Sequence, residues 1–174
     1  MVLKAKPFLD AVKNIVDKLP KWEKFKILYL APSQQIFNQK KAQEFSKLDH
    51  LILVAWRYEW IDARFEKWLK EHYPREFEKI SIGRYVAMWG EVPAMVVVEA
   101  VLRLVEWVLW DKDSVVEESY MDENMSQIEY PQYTRPKQLR WMEVPDILLS
   151  WDHQKIKERR EQNKTYLQNN EVEK

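Results

Sequence analysis

The chain has no cysteine and only two glycines among 174 residues. The first absence excludes a disulfide scaffold, a thiolate zinc site, an iron–sulfur centre and a thiol nucleophile. The second leaves few backbone positions for phosphate-cradling loops, primed hairpin turns or a nucleophile elbow, since average usage would supply about a dozen glycines. No Walker, dinucleotide-binding or Gly-x-Ser-x-Gly pattern is present, and no repeat of 20–50 residues. The three histidines, His50, His72 and His153, show no metal-ligand spacing. These absences imply no catalytic residue, no metal and no cofactor.

Export and membrane insertion are not expected. Met1 to Pro7 leads into a stretch already carrying Asp10, Lys13 and Asp17, which is no signal-peptide core. The most apolar segment, 92–110, holds Glu99, Arg103 and Glu106 near its middle, which argues for a core helix rather than a span. The expected location is the cytoplasm or a virion.

What is present is charge of both signs, unevenly placed. The formal net charge is zero, yet residues 1–48 carry ten Lys against four acids, and residues 91–130 carry ten acids against two bases. Lys4, Lys6, Lys13, Lys18, Lys21, Lys24, Lys26, Lys40 and Lys41, interleaved with Trp22, form the candidate nucleic-acid contact. Lysine rather than arginine suits neutralisation of phosphates without base readout. The acidic run Asp111, Asp113, Glu117 and Glu118 is a candidate docking surface for a basic protein. Nine tryptophans exceed what one core of this size needs. Trp56, Trp60 and Trp141, with Tyr130 and Tyr133, are candidate protein-interface anchors.

The pattern of apolar residues predicts an all-α fold, an irregular helical bundle in a single domain over 1–174. Pro7 opens a helix carrying Leu9, Val12, Val16 and Leu19 inward, and short helices follow at 21–30 and 33–48, completing a basic arm over 1–48. Asp49 is placed to cap a long helix over 50–73, ended by Pro74. Residues 75–92 fit neither period and are expected to be a short helix with turns; Pro93 opens the central helix over 93–110. An acidic segment from 111, with a short helix expected to start at Ser114, leads to an extended, proline- and tyrosine-rich wrap over 128–145, and a helix over 146–168 projects from the bundle.

These features together predict a non-enzymatic, self-assembling coat or nucleocapsid subunit that contacts nucleic acid without regard to sequence through its basic arm. The alternative is a small adaptor or inhibitor that docks a basic partner through its acidic segment or its last helix.

Overall fold

The computed structural model describes residues 1–57, 60–106, 108 and 118–167. The chain divides into two compact units, residues 1–110 and 111–174. The first is α/β rather than all-α. Its elements are β1 (Val2–Leu3), α1 (Ala5–Val16), β2 (Phe25–Leu30), α2 (Gln39–Phe45), β3 (His50–Val54), β4 (Trp60–Ile61), α3 (Arg64–His72), β5 (Phe77–Ile80) and α4 (Glu91–Leu102).

β2 is the middle of a three-stranded sheet in the order β3-β2-β5, parallel to both neighbours. Its register pairs Phe25 with His50 on one side and Ile27 with Phe77 on the other. Consecutive side chains of β2 enter opposite layers. Ile27 and Tyr29 pack with Val12 of α1 and with Phe65 and Leu69 of α3. Leu28 and Leu30 pack with Ala42 and Phe45 of α2 and with Val97 and Val101 of α4. The chain leaves β2 through α2 on one face and leaves β3 through α3 on the other, which is a doubly wound arrangement.

Two expected helices are therefore replaced by strands, the first over most of its length and the second in part. Residues 21–30 pass from a turn into β2, whose apolar run is covered on both faces, so the alternation that marks a half-buried strand is missing. The expected helix over 50–73 is β3, a connection through β4, and α3. Val54, Ile61, Phe65 and Leu69 are all buried, but they belong to a strand end, a short strand and a helix that share one core. Asp49 caps no helix: its carboxylate accepts the Lys24 backbone N–H at 2.7 Å, and its own N–H reaches the Lys24 carbonyl at 2.9 Å, locking the start of β3 beside β2.

Elsewhere the helices are shorter than expected. The helix expected over 33–48 is α2 alone, capped by Asn38, which accepts the Lys41 N–H at 3.1 Å. The expected short helix within 75–92 is β5 followed by turns, and α4 ends at Leu102. The expected start of an acidic helix at Ser114 lies outside the described residues.

The second unit holds β6 (Gln127–Ile128), β7 (Gln138–Leu139), β8 (Met142–Glu143), a 3₁₀ turn (Asp146–Leu149), α5 (His153–Gln162) and β9 (Thr165–Tyr166). β6 pairs antiparallel with β9, and β7 with β8. Asp122 organises its start by accepting the backbone N–H groups of Ser126 and Gln127 at 2.9 and 2.8 Å and the Ser126 hydroxyl at 3.0 Å. Asp152 caps α5 through the Lys155 N–H at 3.2 Å. No helix among the described residues is long and apolar enough to cross a membrane.

Candidate functional site

In a parallel sheet wound on both faces, ligands bind beyond the carboxyl ends of the strands, where the chain connections part. Those ends converge here on Leu30-Ala31-Pro32 after β2, Trp56 after β3 and Ile80-Ser81 after β5. They line a cavity of about 720 Å³, within the roughly 300–1,000 Å³ of small-molecule sites. The segment 82–90 forms its remaining wall.

That segment is fixed at both ends. At its start, the Ser81 hydroxyl donates to the Gly83 carbonyl at 2.6 Å, and the Ser81 N–H donates to the Gln35 carbonyl at 2.9 Å. At its finish, the Gly90 N–H donates to the Trp56 carbonyl at 2.9 Å, so the chain spans from the β5 edge to the β3 edge. The Arg57 guanidinium lies 4.8 Å from the Trp89 ring centroid and donates to Glu91 at 3.3 Å. Between the two ends Tyr85, Val86 and Met88 are exposed.

The lining is mostly apolar and aromatic, and among the described residues it includes no carboxylate, imidazole or amine. Its polar groups are backbone, the Ser81 and Tyr85 hydroxyls and the indole N–H groups of Trp56, Trp60 and Trp89. Tyr29 lies behind Trp56, their ring centroids 4.9 Å apart, and burial pushes its phenol above the ordinary value despite a hydrogen bond with the Ile61 backbone. The described lining offers a ligand shape, aromatic stacking and backbone hydrogen bonds. Among the described residues no group of three or more His, Asp or Glu could hold a metal ion.

The expected nucleic-acid residues scatter over the first unit. Lys4 precedes α1, while Lys6 and Lys13 lie on its outer face in ion pairs with Asp10 at 2.5 Å and Asp17 at 2.7 Å. Lys18, Lys21, Trp22 and Lys24 are exposed between α1 and β2, and Lys40 is exposed on α2. Lys26 and Lys41 face inward onto Glu78, at 2.5 and 2.9 Å. Burial disfavours the Glu78 carboxylate, but these two ammonium groups outweigh it and hold its pKa below the usual value.

Of the expected interface residues, Trp56 and Trp60 are brought together in the cavity wall. Tyr130 and Tyr133 meet in a groove of about 430 Å³ in the second unit, with Arg135, Lys137, Arg159 and Arg160 around them. The Arg160 guanidinium is 5.0 Å from the Tyr130 ring centroid. Trp141 stands exposed at the tip of the β7–β8 hairpin, and Glu118 is half-buried in the second unit. Asp111, Asp113 and Glu117 lie outside the described residues. The sequence reading missed Leu30 to Pro32 and the segment 81–90, although both glycines of the chain fall within it.

The carboxyl ends of a doubly wound sheet are where folds of this class hold small organic ligands. Residues 1–172 match the family described as tRNA (Guanine-1)-methyltransferase TrmD, and the chain belongs to that family. It is 47% identical over 157 residues to a tRNA (guanine-N(1)-)-methyltransferase of Dictyoglomus turgidum, covering 90% of this chain and 58% of that protein. The protein of the same description from Listeria monocytogenes is 40% identical over 161 residues, covering 92% and 62%. That from Carboxydothermus hydrogenoformans is 44% identical over 156 residues, covering 90% and 56%. The chain thus spans about three-fifths of the length of these relatives. Membership of an enzyme family overturns the expectations of a non-enzymatic coat or virion subunit and of a docking adaptor.

Proposed function

We propose that this chain carries the methyl-donor site of a tRNA guanine-N1 methyltransferase. The carrying observation is the cavity at the ends of β2, β3 and β5, in a chain of that family. The donor of such reactions is S-adenosylmethionine, which when bound supplies a methyl group on a positively charged sulfur. The lining fits it: aromatic and aliphatic walls suit an adenine ring, backbone groups beyond the strand ends suit its polar edge, and aromatic faces accommodate a sulfonium.

In the transfer, the ring nitrogen N1 of guanine forms a bond to the methyl carbon as the sulfur–carbon bond breaks, and the N1 proton leaves. Among the described residues that line the cavity, none carries a carboxylate, imidazole or amine to take that proton. The role of the wall is to hold and orient the donor and to exclude water.

The nucleic-acid partner is tRNA rather than any sequence. Lys18, Lys21, Lys24 and Lys40 in the first unit, and Arg135, Lys137, Arg159 and Arg160 in the second, are the cations proposed to meet its phosphates. A second copy of the chain is the proposed cover for α4. Its Val92, Met95, Val96, Val98 and Leu102 are exposed, an apolar surface that a helix in water does not keep. The proposed place of action is the cytoplasm, where tRNA is modified.

Incubating the protein with unmodified tRNA and methyl-labelled S-adenosylmethionine, then digesting the RNA to nucleosides, tests the reading. Label is expected in 1-methylguanosine. Label in another nucleoside only would contradict it.

A further inference from the structure

Two features of the composition remain unexplained by a methyl-donor site. The chain has two glycines, where average usage would supply about a dozen, and nine tryptophans. Tryptophan is normally well covered in a folded protein. Here Trp22, Trp141 and Trp151 are 82%, 83% and 94% exposed, and Trp60 and Trp89 are 46% and 48% exposed.

These side chains sit where the backbone turns or at the cavity wall. Trp22 is a central residue of the turn closed by the Glu23 N–H on the Pro20 carbonyl at 3.1 Å. Trp141 follows Arg140, at φ 59°, in the two-residue loop joining β7 to β8. Such loops are primed turns, and Arg140 takes the positive-φ position while Trp141 beside it holds its indole out in solvent. Trp151 lies in the bend between the 3₁₀ turn and α5. Trp89 pairs with Arg57 across the contact where Gly90 meets Trp56, and there a Cβ on residue 90 would lie 2.6 Å from the Trp56 nitrogen. Trp60, the first residue of β4, lines the same cavity as Trp89. Trp68 is the contrast: it packs against the core from α3, stacked on His72 at 3.8 Å and edge-on to Tyr73 at 5.9 Å.

We infer that Trp22, Trp60, Trp89, Trp141 and Trp151 are glycine positions of the natural polypeptide, specified by UGA codons that its translation system reads as glycine. UGA is the codon that links the two residues, being read as tryptophan in some genetic codes and as glycine in others. None of the five has a positive φ, so the backbone there accepts glycine or any other residue, and what singles them out is an indole left in solvent at a turn or at the cavity wall. Glycine removes five large apolar side chains, three of them almost wholly in water. Two of the five positions, 60 and 89, line the cavity, so its wall there becomes backbone and the space for a ligand widens.

Peptide mapping by mass spectrometry of the protein isolated from its own source organism, read beside the codons of its gene, decides the point. The expected result is UGA codons at the five positions, each peptide lighter by the difference between an indolylmethyl group and a hydrogen, with tryptophan retained at Trp68 from a UGG codon. Tryptophan in the natural peptides at these five positions, or UGG codons there, overturns the inference. Neither result depends on the methyl-transfer reading, since nothing in the measurement involves a ligand.

Discussion

Gly90 and Trp56 hold the far end of the cavity wall against the sheet: the Gly90 N–H meets the Trp56 carbonyl at 2.9 Å, and a Cβ on residue 90 would lie 2.6 Å from the Trp56 nitrogen and 3.0 Å from its oxygen. The atoms in the way are backbone and cannot swing aside. Gly90→Ala is expected to destabilise the first unit by about 1–3 kcal/mol, as overpacking does, and to weaken donor binding more than it lowers the melting temperature. Thermal melting with and without S-adenosylmethionine separates the two effects; an unchanged melt and unchanged binding would show the crossing to be pliable.

Glu78 joins β5 to β2 and α2 through Lys26 and Lys41. Glu78→Gln leaves two ammonium groups facing a neutral amide. The expected cost is about 1–3 kcal/mol, below the figure for a fully buried pair because all three side chains keep some contact with water. Urea unfolding followed at the tryptophan fluorescence checks it.

The same carboxylate sets a pH dependence. Glu78 and Glu66 both have folded-state pKa values below the ordinary 4.5: burial opposes ionisation, but Lys26 and Lys41 outweigh it at Glu78, and Lys70 and Lys79 do so at Glu66. A lowered carboxylate pKa contributes stability that is full above the unfolded-chain value and is lost as pH falls through the folded one. Stability is therefore expected to hold near neutrality and to decline as pH falls below about 4.5. Glu78→Gln should flatten that decline. An equally steep decline in the variant would remove Glu78 from the account.

The exposed face of α4 carries the proposed self-association. Met95→Asp is expected to give a monomer, with the melt little changed because Met95 is largely in solvent while Val97 and Val101 hold the core. Light scattering coupled to size-exclusion chromatography reads the mass. A wild-type chain that is already monomeric at micromolar concentration would sink the idea.

How much of this was legible in the sequence depends on how each segment is covered. Of the stripe behind Pro7, Leu9, Val12 and Val16 lie within α1 and Leu19 falls beyond its end, while α4, with Pro93 in its first turn, is apolar nearly all round and was legible from its length and its proline rather than from a stripe. β2 was hidden by its central place. Ile27 and Tyr29 serve one layer and Leu28 and Leu30 the other, so no period of two survives, and Lys26 reads as a solvent-facing charge until Glu78 is set beside it. Lys26→Glu would consequently disturb the sheet, whereas Lys21 and Lys24 are exposed outside it. The cavity was illegible for a related reason. Leu30, Trp56, Ile82 and Ala87 share no local pattern, and only the parallel pairing of β2 with β3 and β5 brings them together.

Calorimetric titration of S-adenosylmethionine into the wild-type chain and into Ala87→Trp tests the central claim most directly. Ala87 lines the cavity and lies outside the buried core, so an indole there fills the site and spares the fold. The account predicts one donor bound per chain and at least about a tenfold loss of affinity in the variant, roughly 1.4 kcal/mol or more. No binding by a folded wild-type chain, or equal binding by both proteins, would contradict it.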